Sequence, residues 1–174
     1  MKIPIEIQKV KYKDAQFKVV VSLQDALARI SLDKEFIKIQ TEYDVFIKKC
    51  KKILENIQKN NKSRGDPLLK WRLADALYTF VKGLEERGFV FANLTEALSR
   101  DLNMSVSQLN YLIEFRTTYP HLGLINKNIS WDKYKELLDI STLLFRKECE
   151  KKILSRELKT REDIRLFKKQ QNHP

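Results

Sequence analysis

An apolar pattern from Leu32 to Lys59, uninterrupted by glycine or proline, constrains the fold of this chain most strongly. Apolar residues recur at alternating spacings of three and four, which is the heptad pattern of an amphipathic helix. They are Phe36, Ile39, Tyr43, Phe46, Cys50, Ile53 and Ile57. We therefore predict one long helix that packs in the core or forms an interface, including that of a homodimer. The aromatic residues favour a core helix or an interface helix over a regular two-stranded coiled coil.

Glycine and proline are scarce, with four of each in 174 residues, and this favours helices over a turn-rich β fold. We predict a mainly α protein, a helical bundle that contains a helix-turn-helix. Residues 3–21 are the exception, because their apolar residues alternate on either side of a turn at Lys13-Asp14-Ala15. We predict a small N-terminal β-hairpin there, whose lysines either contact DNA or keep the edge strand from aggregating. A short helix should follow from Leu23 to Ile30, and Ser31 should cap the next helix.

The segment from Asn93 to Thr118 has the pattern of two helices joined by a tight turn. Asn93 is a favourable N-cap, and Asn103 can adopt the left-handed conformation that closes a helix. Ser105 and Gln108 have the spacing of a capping box at the start of the second helix. Its predicted inner face consists of Val106, Leu109, Leu112 and Ile113. A small residue, Ser99, lies where two crossing helices of a helix-turn-helix approach each other.

The outer face of the second helix carries side chains that can reach bases or phosphates. In this hypothesis Ser105 and Ser107 bind phosphate or base near the helix N-terminus, and Gln108 and Asn110 read adenine. Tyr111 packs on a sugar or a thymine methyl group, and Arg116 or Arg100 contacts the backbone. Each residue has a structural alternative: Gln108 completes the capping box, Tyr111 is half-buried, and Arg116 pairs with Glu96 or Asp101. For the motif as a whole, the alternative is an ordinary helical hairpin in an all-α core.

The net charge of +11 points to a polyanionic partner, although a lysine-rich solvated surface is the alternative explanation. Residues 91–120 contain two basic and three acidic residues, so attraction to phosphate must come from elsewhere in the fold. Residues 51–72 contain seven basic and two acidic residues. The candidate phosphate contacts in that segment are Lys51, Lys52, Lys62 and Arg64.

The segment NNKSRGDP divides the chain into an N-terminal part, residues 1–60, and a helical domain, residues 68–169, joined by a linker at 61–67. Asp66 and Pro67 should begin a helix that buries Leu73 and Leu77, keeps Trp71 at its edge and ends at Gly88. Later helices are predicted from Trp131 to about Asp139, from Ser141, and from Arg161 to Lys169, with residues 170–174 frayed. The helix from Ser141 should bury Leu144, Phe145, Cys149 and Ile153.

The chain lacks the residue patterns of common catalytic sites. Cys50 and Cys149 should pack as small apolar groups, and His121 and His173 have no metal-ligand spacing. There is no glycine-rich phosphate loop, nucleophile–histidine pair or acidic nuclease motif. We expect no enzymatic activity, metal or cofactor. We also expect no membrane span and no signal peptide, hence a cytoplasmic location.

The helical part resembles a known family in its order of elements. Ile129, Ser130, Trp131, Tyr134, Leu137 and Leu138 match an "(I/L)-S-W-x-x-Y-x-x-L-L" helix, Phe145 and Arg146 follow, and LKTREDIRLF closes the segment. Residues 68–169 thus resemble the N-terminal helical domain of the YhcG-type PD-(D/E)xK nucleases, without their nuclease domain. They are more loosely similar to the central DNA-binding domain of ParB-type partition proteins. The resemblance implies DNA binding without the enzymatic activity of either family.

These observations predict a protein that binds double-stranded DNA through the second helix of the motif, with basic helices on phosphates. The alternative is a non-enzymatic scaffold that docks a protein partner, such as a separately encoded nuclease or a mobile-element protein. The long helix and the hairpin edge would then be the contact surfaces.

Overall fold

The computed structural model describes the backbone of residues 6–12, 15–21, 29–59, 65–89 and 93–171. Side chains are described from residue 35 onward within these ranges, except at residues 36 and 171. Strands β1 (Glu6–Tyr12) and β2 (Ala15–Val21) pair antiparallel, with Glu6 opposite Val21 and Tyr12 opposite Ala15. The turn residues 13–14 and all side chains of both strands lie outside the description, so the packing of the predicted hairpin stays a prediction.

Helix α1 (Arg29–Lys59) is the long helix that the heptad pattern predicts. The buried positions of that pattern are Ile39, Tyr43, Phe46, Cys50 and Ile57. The predicted cap at Ser31 is wrong, because the helix begins before it and continues through it. The rest of the predicted short helix, residues 23–28, lies outside the described residues.

The remaining described residues are also mainly helical, which confirms the mainly α character of the predicted fold. The helices are α2 (Pro67–Glu86), α3 (Leu94–Leu102), α4 (Val106–Thr118), α5 (Trp131–Leu138), α6 (Leu143–Leu154) and α7 (Arg161–Gln171). A single 3-10 turn, Leu122–Leu124, lies in the predicted loop after α4. None of the helices in these described ranges has both the length and the apolar character needed to cross a membrane.

Helix α2 begins and ends at the predicted residues. The Asp66 carboxylate accepts the Leu68 N–H at 2.8 Å, which satisfies one of the free donors of the first turn. Gly88 has a φ of 85°, and the N–H groups of Gly88 and Phe89 donate to Glu85 and Leu84 at 2.9 Å. This pair of bonds is a Schellman ending, which favours glycine at the left-handed position.

The chain forms two compact units: residues 1–52 with 76–110, and residues 53–75 with 111–174. In the first unit, the rings of Phe46 and Phe80 stack with centroids 4.3 Å apart, and Leu84, Leu98 and Leu102 are buried. The predicted division at residues 61–67 follows sequence composition and stays a prediction.

The second unit is built around Phe115, which is fully buried. Its ring lies 5.0–5.3 Å from those of Tyr119, Trp131 and Tyr134, in the tilted and edge-on arrangements that aromatic pairs prefer. Cys149 is buried and its thiol is free, which agrees with the predicted role as a small apolar group. Burial raises the pKa of this thiol to about 11.

Three predicted positions in the helices are wrong. Trp71 is buried rather than at an edge, because its indole N–H donates to the Tyr119 carbonyl oxygen at 2.7 Å. Val106 is 39% exposed, since its position on α4 is rotated about 120° from that of buried Leu112. Leu144 is 79% exposed, since five residues place it about 140° from Cys149 on α6.

The left-handed backbone of Asn103, with φ 52° and ψ 48°, yields a test by substitution. We expect Asn103→Gly to be about 1 kcal/mol more stable than Asn103→Ala, because a Cβ disfavours this conformation. Asn110, inside right-handed α4, is the matched control. There the order should reverse, with Ala about 1 kcal/mol more stable than Gly. Urea unfolding of the four variants measures both differences, and the same order at the two sites would contradict the assignment.

Candidate nucleic-acid interface

The connection between α3 and α4 is fixed by backbone bonds. The N–H of Asn103 donates to the Arg100 carbonyl at 3.2 Å, and that of Met104 donates to the Ser99 carbonyl at 3.0 Å. This is a second Schellman ending, with asparagine in place of glycine. The Ser99 hydroxyl also donates to the Met104 carbonyl. Three residues therefore suffice to end α3 and begin α4, as the sequence predicts.

Helix α4 begins with the predicted capping box. The Gln108 N–H donates to the Ser105 hydroxyl at 3.2 Å, and the Ser105 N–H donates to the Gln108 amide oxygen at 3.0 Å. These bonds satisfy two backbone donors of the helix start reciprocally. Gln108 thus has the structural role given as its alternative, while its side chain stays exposed.

The remaining predicted outer residues of α4 face solvent. Ser107, Asn110, Tyr111 and Glu114 are all exposed, and Tyr111 is 40% exposed. At this exposure, part of Tyr111 is accessible to a ligand. This face of α4 is therefore accessible for contacts.

The two predicted arginine contacts differ in accessibility. Arg116 is half-buried, its Nε lies 2.6 Å from the Asp75 carboxylate, and its guanidinium lies 5.2 Å from the Trp71 ring centre. Its ion-pair partner is therefore Asp75 on α2 rather than Glu96 or Asp101. Arg100 is exposed and lies 3.2 Å from the adjacent Asp101. Such an exposed pair is weak and leaves Arg100 accessible.

The predicted basic segment is only partly described. Lys51 and Lys52 are exposed near the end of α1, as a phosphate contact requires. Lys62 and Arg64 lie outside the described residues.

The second unit contains a basic cleft that the sequence patterns do not predict. We call it the Glu136 cleft; it has a volume of about 260 Å³ and is lined by Tyr111, Lys135, Glu136, Asp139, Arg161, Arg165 and Lys168. Most of its lining residues lie on α5 and α7, and Tyr111 lies on α4. The available signal was the spacing of Arg161, Arg165 and Lys168, which places three cations on one face of α7.

The Glu136 carboxylate organises this cleft, because it is only 7% exposed and accepts bonds from two arginines. Arg161 Nε lies 2.8 Å from Oε1, while Arg165 donates through Nη2 to Oε1 at 2.8 Å and through Nε to Oε2 at 2.9 Å. Lys168 donates to the backbone carbonyl of Glu136 at 2.8 Å. The carboxylate thus holds both guanidinium groups in fixed positions.

The balance of effects keeps Glu136 ionised. Burial alone raises the pKa of its carboxyl, but the hydrogen bonds and charges of Arg165 and Arg161 outweigh burial and hold that pKa below its ordinary value of 4.5. A buried carboxylate with this many donors is charged at neutral pH.

The lining of the cleft carries an excess of positive charge. Four cations, Lys135, Arg161, Arg165 and Lys168, face two carboxylates, Glu136 and Asp139, which leaves a lining charge of +2. Asp132 and Glu162 pair with Lys135 and Arg165 from positions that are 63% and 73% exposed, so solvent weakens both pairs. The positive field also reaches Lys70, whose pKa is lowered by burial and then by Lys135.

Within the described ranges, no group of three or more His, Cys, Asp or Glu side chains is arranged to hold a metal ion. No protein-family model, curated protein or solved structure matches the chain. The resemblance to the YhcG-type and ParB-type domains therefore stays a prediction that rests on the residues quoted for it.

We expect Glu136→Gln to lower the free energy of unfolding at pH 7 by about 2 kcal/mol, because a neutral amide loses charge-assisted bonds to Arg161 and Arg165. The folded pKa of Glu136 is depressed, so its stabilisation is present above pH 4.5 and is lost as the pH falls through the folded value. The difference between wild type and variant should therefore shrink on acidification. Urea unfolding at several pH values measures it.

Asp139→Asn is the matched control in the same cleft, because Asp139 is 66% exposed beside Lys168. We expect a change of less than about 0.5 kcal/mol. Equal effects of the two substitutions at pH 7 would contradict the organising role of Glu136.

Proposed function

We propose that this protein binds DNA through the exposed face of α4, with the cations of the Glu136 cleft on phosphates. One observation carries the proposal: Tyr111 belongs both to the exposed face of α4 and to the lining of the cleft. Helix α4 and its preceding turn have little positive charge of their own. The cleft supplies the cations that phosphate binding requires, beside a side chain predicted to contact DNA.

The proposal divides the contacts by chemistry. Ser107, Asn110 and Tyr111 are candidates for base or sugar contacts, because they are exposed and are not needed for the helix cap. Lys135, Arg161 and Arg165 are candidates for phosphate contacts, and Lys51, Lys52 and Arg100 are further cations with accessible side chains. We assign Arg116 to structure rather than to DNA, because it is paired with Asp75 and half-buried.

A binding role agrees better with the chemistry of the cleft than an enzymatic one. Its buried carboxylate is tied to two arginines and has a lowered pKa, which makes it a weak general base. We therefore propose a binding protein rather than an enzyme. Cleavage of DNA that requires a divalent ion would overturn this part of the proposal.

The second candidate is a scaffold that docks a protein partner. Ile37 and Val45 favour it, because they are 63% and 62% exposed and lie about two turns apart on α1. Five of the seven predicted heptad positions of α1 are buried by the chain itself, which supports core packing over an interface along that face. A homodimer stays a prediction. A scaffold predicts no salt-dependent affinity for DNA.

The α4 face is tested by adding a negative charge without disturbing the helix. Gln108→Glu preserves the capping box, because glutamate serves equally at this position. It should weaken DNA binding about fivefold, since one like charge near a phosphate costs about 1 kcal/mol. Fluorescence anisotropy with a labelled random duplex at low salt measures the change. Asn128→Asp adds the same charge in an exposed loop and should leave the affinity unchanged.

The cleft cations are tested through the dependence of affinity on salt. We expect Lys135→Gln to weaken binding and to reduce the slope of log K against log salt by about one. Lys147→Gln removes the same charge from an exposed position outside the cleft lining and should preserve the slope. Equal slopes for both variants would mean that the phosphate contacts lie outside the cleft. Absence of DNA binding at low salt would favour the scaffold.

A further inference from the structure

The shape of the Glu136 cleft limits what can enter it. A volume of about 260 Å³ suits a small group such as one phosphate ester, and it is too small to hold several backbone phosphates at once. The cations line a concavity rather than a flat strip. A ligand that uses the interior of the cleft must therefore be a compact anion or a group that protrudes from a larger molecule.

The donors in the cleft are arranged before a ligand arrives. Glu136 fixes the guanidinium groups of Arg161 and Arg165, which nevertheless remain 43% and 46% exposed. Each guanidinium has five N–H donors, and the bonds to carboxylates leave some of them for another acceptor. Fixed arginine forks match the oxygen geometry of phosphate, and pre-organisation lowers the entropic cost of binding.

The charge of the lining distinguishes one kind of phosphate from another. A lining charge of +2 matches a phosphate monoester, which carries a charge of about −1.5 to −2 at neutral pH, better than a phosphodiester with a single charge. Tyr111, which is 40% exposed and lines the same cleft, carries an aromatic ring of the kind that stacks on a base attached to such a phosphate.

We propose that the Glu136 cleft binds a phosphate monoester, with Arg161 and Arg165 on its terminal oxygens and Tyr111 on an attached base. This chemistry has two sources: the phosphorylated end of a nucleic-acid strand, or a free phosphate ester. We commit to the strand end as the ligand; this choice rests on the proposed DNA binding, whereas the monoester site itself does not.

The first arm of the test uses inorganic phosphate on the full chain. Titration followed by the NMR signals of the arginine Nε–H groups should shift those of Arg161 and Arg165. Arg87 is the internal control, because it is paired with Glu42 at 2.6 Å in the other unit. Sodium chloride at equal ionic strength corrects for screening. Equal shifts with phosphate and chloride would overturn the inference.

The second arm compares two duplexes of one sequence with a short unpaired 5′ overhang, ending in phosphate or hydroxyl. We expect about tenfold tighter binding of the phosphorylated end, because it adds charge-assisted bonds to the cleft. Arg161→Gln should remove the preference, while Lys147→Gln should retain it. Circular dichroism of Arg161→Gln checks its folding. If that variant fails to fold, Lys135→Gln replaces it and should reduce the preference.

The two arms separate the failure of this inference from that of the proposed function. Duplex binding that is equal for both ends overturns the strand-end site and leaves DNA binding intact. In a second outcome, phosphate shifts the arginine signals but neither duplex binds. This result would overturn both the proposed DNA binding and the strand end as the ligand. That result supports the monoester site with a free ester as its ligand.

Discussion

The ion pair between buried Glu136 and the arginines of α7 determines the arrangement of charges in the second unit. A carboxylate at 7% exposure requires donors and opposite charge, and Arg161 and Arg165 provide both. Satisfying that one carboxylate brings α7 against α5 with its basic face inward to the cleft. The excess of cations over carboxylates then becomes local rather than spread over the surface. A need for internal neutralisation thus creates a positively charged concavity.

Much of the backbone could be predicted from the sequence, because its signals are local. Asp66, Gly88, Asn103 and the Ser105–Gln108 pair act within a few residues, and each occurs where its chemistry predicts. The cleft could not be predicted in this way. Glu136 meets Arg161 and Arg165 across 25 and 29 residues, and periodicity does not state which faces of two helices come together. Trp71 shows the same limit, since its partner is the Tyr119 carbonyl.

The exposed face of α4 and the Glu136 cleft leave different signals in the sequence. The exposed face of α4 follows from helical periodicity, whereas its low net charge left the source of phosphate attraction open. The cleft places four cations next to Tyr111 without a basic run in the sequence. Arg116 illustrates the opposite case, because a charge that suited DNA in the sequence is engaged by Asp75 and Trp71. The charge of a basic residue indicates a phosphate contact only when its burial and its ion pairs are also known.

The exposed capping box at Ser105 and Gln108 restricts how the surface of α4 can diversify. Both side chains hold the helix start, so replacements that abolish the cap weaken the fold as well as any contact. The side chains of Ser107, Asn110 and Tyr111 are not needed for this cap. Substitutions at those three positions therefore need not disturb the cap, while the two cap positions should change only among residues that keep the reciprocal bonds.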